Sequence, residues 1–197
     1  PTRRSSDLIS QGVLESLINS PKVFFRTEKH PIIDKLKETI QYTSLDYFYE
    51  KEENFDNVYL KISEFIIEES AKGDLVYAVP GHPRVAEKTV SIIERLANEK
   101  HIAVEILPSM SFVDAMFNYL AIDPSEGFKL VDAFEIENSY IDLDTSMIIT
   151  QVYDKFIASN VKLKLMEHYD YNQEVCIVNG AGVKDLESKK LDRKSVV

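Results

Sequence analysis

Cysteine is nearly missing from this chain and tryptophan is missing altogether, with one Cys and no Trp in 197 residues. A lone thiol excludes an intramolecular disulfide framework, and with it the small stapled folds of secreted domains. That thiol, Cys176, lies in the apolar run 175–178. A small buried core residue is its expected role there, and a reactive thiol is the alternative. Positive charge is also scarce. Lys and Arg total 23 against 33 Asp and Glu, a formal net charge of −10. This argues against broad nucleic-acid or anionic-membrane binding, since both need a surplus of cations on one face. A local basic patch stays open. No apolar run approaches the roughly 20 residues needed to cross a bilayer, and the first residues show no secretory signal pattern. The expectation is a cytoplasmic protein with neither nucleic acid nor membrane as partner.

Acidic motifs in pairs are lacking too. Phosphohydrolase chemistry needs two acidic motifs on helices to hold Mg²⁺ against substrate phosphates. Glu68 and Glu69 form one candidate pair, on an amphipathic stretch where solvated charge is the ordinary reading, and no second pair follows at helical spacing. No metal site is expected.

What is present is a 44% hydrophobic chain, enough for a proper core, in which short apolar runs alternate with helical patterns. That alternation marks an α/β protein with parallel sheet and crossover helices. Val13, Leu14, Leu17 and Ile18 lie at helical spacing before a strand over 22–25. Pro31 then opens a short helix through Leu36, and Phe55, Val58, Tyr59, Ile62, Phe65 and Ile66 line a helix ending before Gly73. Strand 75–79, a helix marked by Val85, Ile92, Ile93 and Leu96, and strand 102–107 follow. A further helix covers about 112–120, residues 147–152 read as a strand, 154–168 as a helix and 175–178 as a strand. The polar, aperiodic segment 137–144 is the candidate end of an interdomain connection.

Two loops have the look of a ligand site. A strand empties into Pro80-Gly81-His82-Pro83 before a helix, and a second strand empties into Leu107-Pro108-Ser109-Met110-Ser111-Phe112 before another. In open α/β sheets ligands bind beyond the carboxyl ends of strands, and glycine there lets a ligand approach the backbone. A plain tight connection is the alternative for the first loop, and an N-cap is the alternative for Ser111.

The ends carry an oddity. The first eight residues can be encoded by a DNA string whose reverse complement, read in one frame, encodes Asp-Arg-Lys-Ser-Val-Val and a stop, which is 192–197. The string resembles a short-read sequencing adapter. Residues 1–8 and 192–197 are therefore expected to be processing scars, and the natural protein is expected to continue past both.

Arg26-Thr27-Glu28-Lys29-His30-Pro31, Val79-Pro80-Gly81-His82-Pro83, Ile122-Asp123-Pro124-Ser125-Glu126-Gly127 and Gln151-Val152-Tyr153-Asp154 together resemble the tetrapyrrole (corrin/porphyrin) methylase family. The nearer resemblance is to the methylase-like domain preceding MazG-type nucleotide pyrophosphohydrolases, and it covers nearly all of 9–191. It implies two α/β/α subdomains, here 9–122 and an incomplete 123–191, with S-adenosyl-L-methionine in a cleft between them and the family's first strand missing. Pro80, Gly81, His82 and Val85 would line the cofactor from the first loop, Ser111 and Phe112 from the second, and Gln151 and Ala181 from the second subdomain. Arg26 and His30 are weaker candidates for the substrate. Arg26 and Lys29 could hold an anionic group or be solvated surface charge, and His30 and His82 could be bases or structural hydrogen-bonding residues.

This chain departs from the wider family in lacking the Gly-x-Gly-Pro-Gly loop, in His82 where an aspartate is usual, and in Ser109 where a glycine is usual. The activity implied is methyl transfer to a small molecule by a bacterial-type cytoplasmic protein with a MazG-type domain downstream and a homodimer as a further option. The alternative is a regulatory module that binds cofactor or nucleotide without chemistry.

Overall fold

The computed structural model describes residues 9–30, 32–52, 54–181 and 188–192. The adapter-like residues 1–8 and 193–197, and Pro31, lie outside the described residues. Contacts divide the chain into two compact units, one through Phe112 and one from Val113 onward.

In the first unit, α1 (Gln11–Asn19) starts where Ser10 Oγ accepts the Val13 N–H at 3.3 Å, satisfying one of the donors a helix start leaves open. Next come β1 (Val23–Phe25), α2 (Ile33–Leu36), β2 (Thr43–Ser44), α3 (Tyr47–Lys51), α4 (Phe55–Ser70), β3 (Val76–Ala78) and α5 (Lys88–Glu99). The sheet order is β2-β1-β3, all parallel, with Phe24 opposite Thr43 on one side and Tyr77 on the other. Central β1 is buried along its whole length, as a parallel strand covered on both faces must be. Its alternation sorts the cores. Phe24 packs with Leu45, Val58, Ile62, Ile66 and Ile93 from the α4 and α5 side. Val23 and Phe25 pack on the other face with Leu17, Ile33, Leu36 and Ile40. This is helices on both faces of a parallel sheet, so the α/β class holds.

The second unit contains most of α6 (Phe112–Leu120), then β4 (Phe128–Asp132), a 3-10 turn over Ala133–Asn138, β5 (Ser146–Thr150), α7 (Lys155–Met166), β6 (Val175–Asn179) and β7 (Ser188–Asp192). Strands β4 and β5 are parallel, with Leu130 opposite Ile148. Val131, Ile136, Ile141, Ile157 and Val161 make their core. Segment 137–144 is tied into it through Ile141 and through Asp142, whose carbonyl accepts from Tyr169 Oη. Strands β6 and β7 form a separate antiparallel pair, in which Asp192, the first residue of the adapter-like stretch, lies opposite Val175. No helix among the described residues is long and apolar enough to cross a membrane.

Three local expectations need correction. Residues 102–107 form no strand; Ile102 donates to Ala97 O at the end of α5, and Val104 is exposed. An apolar run becomes a strand only where a neighbour completes its hydrogen bonds, and none is paired with it among the described residues. Val85 precedes α5 rather than joining it, because Ala86 turns to φ +53° and Glu87 caps the helix by accepting the Thr89 N–H. Cys176 is exposed, as is its neighbour Ile177, because their strand lies in a two-stranded sheet and no residue of it joins a core cluster among the described residues.

Candidate functional site

The carboxyl ends of β1 and β3 lie side by side, with the Arg26 N–H donating to Ala78 O at 2.9 Å. Both candidate segments of the first unit that follow strands therefore emerge at one sheet edge, where α/β sheets bind ligands. After β3, Pro80 is half-buried and Gly81 is exposed at φ +78°. A Cβ on Gly81 would meet nothing nearer than Met110 O, at 4.0 Å. The Pro80 turn thus lies against the segment that leads into α6, where Ser111 is 7% exposed and Phe112 is 38% exposed. Gly81 lies near the Met110 carbonyl, one residue before Ser111, although the segment that carries Met110 and Ser111 does not follow a strand as the sequence suggested. The approach at Gly81 is to a backbone carbonyl, that of Met110.

His82 closes the turn: its Nδ1 accepts the Arg84 N–H at 3.0 Å, and the Val85 N–H donates to His82 O. With Nδ1 occupied as an acceptor, Nε2 carries the proton in the neutral ring. His30 is engaged the same way, Nδ1 accepting the Ile32 N–H at 3.4 Å, and burial lowers its pKa, favouring the neutral form.

Arg26 is not solvated surface charge. Its side chain is 22% exposed, and its Nε lies 3.2 Å from Oε2 of Glu87, a carboxylate 3% exposed. The pair is an ion contact without hydrogen-bond alignment at Nε. Burial alone works against the guanidinium charge, but Glu87 and the neighbouring tyrosines Tyr49, Tyr77 and Tyr59 outweigh it and raise the pKa. Glu87 Oε1 accepts from Thr89 Oγ1 at 2.6 Å. Thr89 in turn lies 2.9 Å from Tyr77 Oη, so Tyr77 is the donor there. Burial, with Glu87 adding to it, pushes the Tyr77 hydroxyl far above its usual pKa. The 26–30 segment is also anchored by Asp46, which accepts from Thr27 Oγ1 at 2.7 Å, the Glu28 N–H at 2.8 Å and Ser44 Oγ at 2.8 Å.

In the second unit, Gln151 follows β5 at φ +63° and is exposed. Backbone in that region costs a non-glycine residue about 1–2 kcal/mol, and such strain is often kept at ligand sites. Ala181 follows β6 and is half-buried.

Sequence reasoning missed Glu87, Thr89, Tyr77, Tyr49 and Asp46. A glutamate beside the Pro-Gly-His-Pro turn reads as solvated charge, and nothing along the chain shows that Arg26 lies against it.

Residues 4–193 match the family description Tetrapyrrole (Corrin/Porphyrin) Methylases. The chain is 42% identical over 177 residues to protein YabN of Bacillus subtilis (strain 168), covering 89% of this chain and 36% of YabN. It thus spans about a third of that relative's length. Among solved structures, uroporphyrin-III-C-methyltransferase from Thermus thermophilus superposes with a TM-score of 0.71 at 14% identity, covering 95% of this chain and 79% of that one. A Thermus thermophilus uroporphyrin-III C-methyltransferase complexed with S-adenosyl homocysteine gives 0.66 at 13%, covering 97% and 84%. Diphthine synthase gives 0.64 at 17%, covering 95% and 77%. At such identities these likenesses concern the fold alone. The matched description spans nearly the whole chain and agrees with the parallel α/β architecture and the glycine turn at the sheet edge: the chain belongs to the tetrapyrrole methylase family.

Proposed function

We propose that this chain is a methyltransferase domain that takes S-adenosyl-L-methionine as methyl donor and a small molecule as acceptor. The observation that carries the reading is the approach of Gly81 to Met110 O at the carboxyl edge of the first sheet, where glycine leaves backbone exposed. The family uses this donor, and a structural neighbour is complexed with S-adenosyl homocysteine. The residues present fit it: a positive-φ glycine open to solvent and the exposed ring of Phe112 combine approachable backbone with an apolar face, the usual means of holding a nucleoside.

The donor brings its own activation in a sulfonium-bound methyl, so the protein chiefly orients the reactants and excludes water. In this reading Pro80, Gly81, His82, Val85, Ser111 and Phe112 contact the cofactor. His82 Nε2 is the position that can hold or pass a proton, since Nδ1 is engaged. In the same reading the intact protein is cytoplasmic and continues into a MazG-type pyrophosphohydrolase domain. The resemblance of the four sequence segments to the MazG-linked branch supports that part, and YabN is longer than this chain, which covers 36% of it. A homodimer is the arrangement to look for.

Calorimetric titration of the full-length gene product with S-adenosylhomocysteine tests the cofactor assignment. Saturable binding is expected. Absence of heat and of any thermal shift at millimolar ligand would overturn it.

A further inference from the structure

The cations near the candidate site face carboxylates. Arg26 pairs with Glu87 at 3.2 Å, and Arg84 makes a two-pronged pair with Glu94 at 2.6 and 2.8 Å. Lys88 lies 3.6 Å from Asp56. Lys29 lies close enough to Asp46 to help hold its carboxyl low. Glu28 adds a further carboxylate, accepting from Tyr42 Oη at 3.3 Å. Between 26–30 and 80–88, then, the described cations are matched or outnumbered by acid, in a chain whose formal charge is −10.

The strictest match is the buried one. A guanidinium alone at a sheet edge is a ready binder of carboxylate or phosphate. Glu87, 3% exposed and fixed by Thr89, removes that option, because an anion approaching Arg26 also approaches Glu87. What remains beside Arg26 is neutral hydrogen-bonding chemistry. Tyr49 Oη accepts from Arg26 Nη1 at 3.4 Å, which leaves its own hydrogen to donate.

From this we infer that Glu87 is a specificity-determining residue: by cancelling Arg26 it selects an acceptor with uncharged polar groups and excludes a polycarboxylate macrocycle of the uroporphyrin kind. The inference rests on the methyltransferase reading and narrows its acceptor class.

Fluorescence titration with uroporphyrin III, a polycarboxylate probe, tests it at low and at physiological salt. The natural protein is expected to show no saturable binding. Glu87→Gln, which uncovers Arg26, is expected to gain affinity by about tenfold or more in a salt-sensitive way. Should that variant fail to fold, Glu94→Gln uncovers Arg84 at an exposed pair where little stability is at stake, and is expected to show a smaller gain. Saturable porphyrin binding by the natural protein that Arg26→Gln abolishes would overturn the inference. So would the absence of any gain in every folded uncovering variant. Failure of S-adenosylhomocysteine binding would strike the methyltransferase reading instead, and the two titrations report separately.

Discussion

The position a Cβ would take on Gly81 lies 4.0 Å from the carbonyl oxygen of Met110, so the turn after β3 and the segment entering α6 approach through backbone. The space would accept a small side chain in ordinary contact. The backbone would not, because φ is +78°, a conformation that is a genuine outlier for a β-branched residue.

Gly81→Val is therefore expected to weaken S-adenosylhomocysteine binding by about tenfold or more, through a strain of about 1–3 kcal/mol at the turn. The sheet should stay intact by circular dichroism, since Gly81 belongs to no core cluster. Calorimetry on the variant decides it: parental affinity would reduce this turn to a connection.

Gln151 has the opposite problem, a side chain on a φ of +63°. Gln151→Gly should release strain and leave stability unchanged or raised by up to about 1 kcal/mol. Cofactor affinity should fall at the same time if the glutamine is kept for binding. A variant that is more stable and binds equally well would show that the strain serves nothing at the site.

Acid should loosen the 26–30 segment through Asp46. Burial by itself raises that carboxyl, but hydrogen bonds from the Glu28 N–H, Thr27 and Ser44, with Lys29 nearby, outweigh it and hold the pKa below the ordinary value. A depressed folded pKa gives stability that is present above the unfolded carboxylate value of about 3.9, and that is lost as pH falls through the folded one. Asp46→Ala should cost about 1–3 kcal/mol at neutral pH and flatten the acid limb of a urea-denaturation profile. An unchanged limb would assign it to other groups.

At the alkaline end Tyr77 acts in the other direction. Its pKa is raised by burial and by Glu87, so its contribution is present below the unfolded tyrosine value of about 10 and fades as pH rises above it. Tyr77→Phe should cost about 0.5–1.5 kcal/mol at neutral pH, for the hydrogen bond to Thr89. Thr89 keeps its bond to Glu87, and the variant's stability should fall less than the parent's above pH 10. An identical alkaline fall in both proteins would contradict the assignment.

Much of the fold was readable along the chain. The spacing of Val58, Ile62 and Ile66 marks α4, and the unbroken apolar run at 23–25 marks a strand covered on both faces. Both patterns report burial, and burial leaves a local periodic trace. The Pro-Gly-His-Pro turn was legible because few residues besides glycine tolerate the φ that Gly81 adopts. Strand β2 and helix α3 were not read, since two residues and a five-residue aromatic turn are too short to show a period. The run at 102–107 misled because apolar character alone does not supply a pairing neighbour.

The sequence by itself determined the α/β class, the strand-to-helix turn at Gly81, and the family resemblance, because each depends on residues near one another in the chain. Only the tertiary structure decided how Arg26 is used. Its partner Glu87 comes from a loop beyond β3, and parallel strands β1 and β3 must first bring their carboxyl ends side by side before the two charges meet. The electrostatic character of the site follows from that pairing. Charge cancellation depends on distance in space, which the order of residues along the chain does not encode.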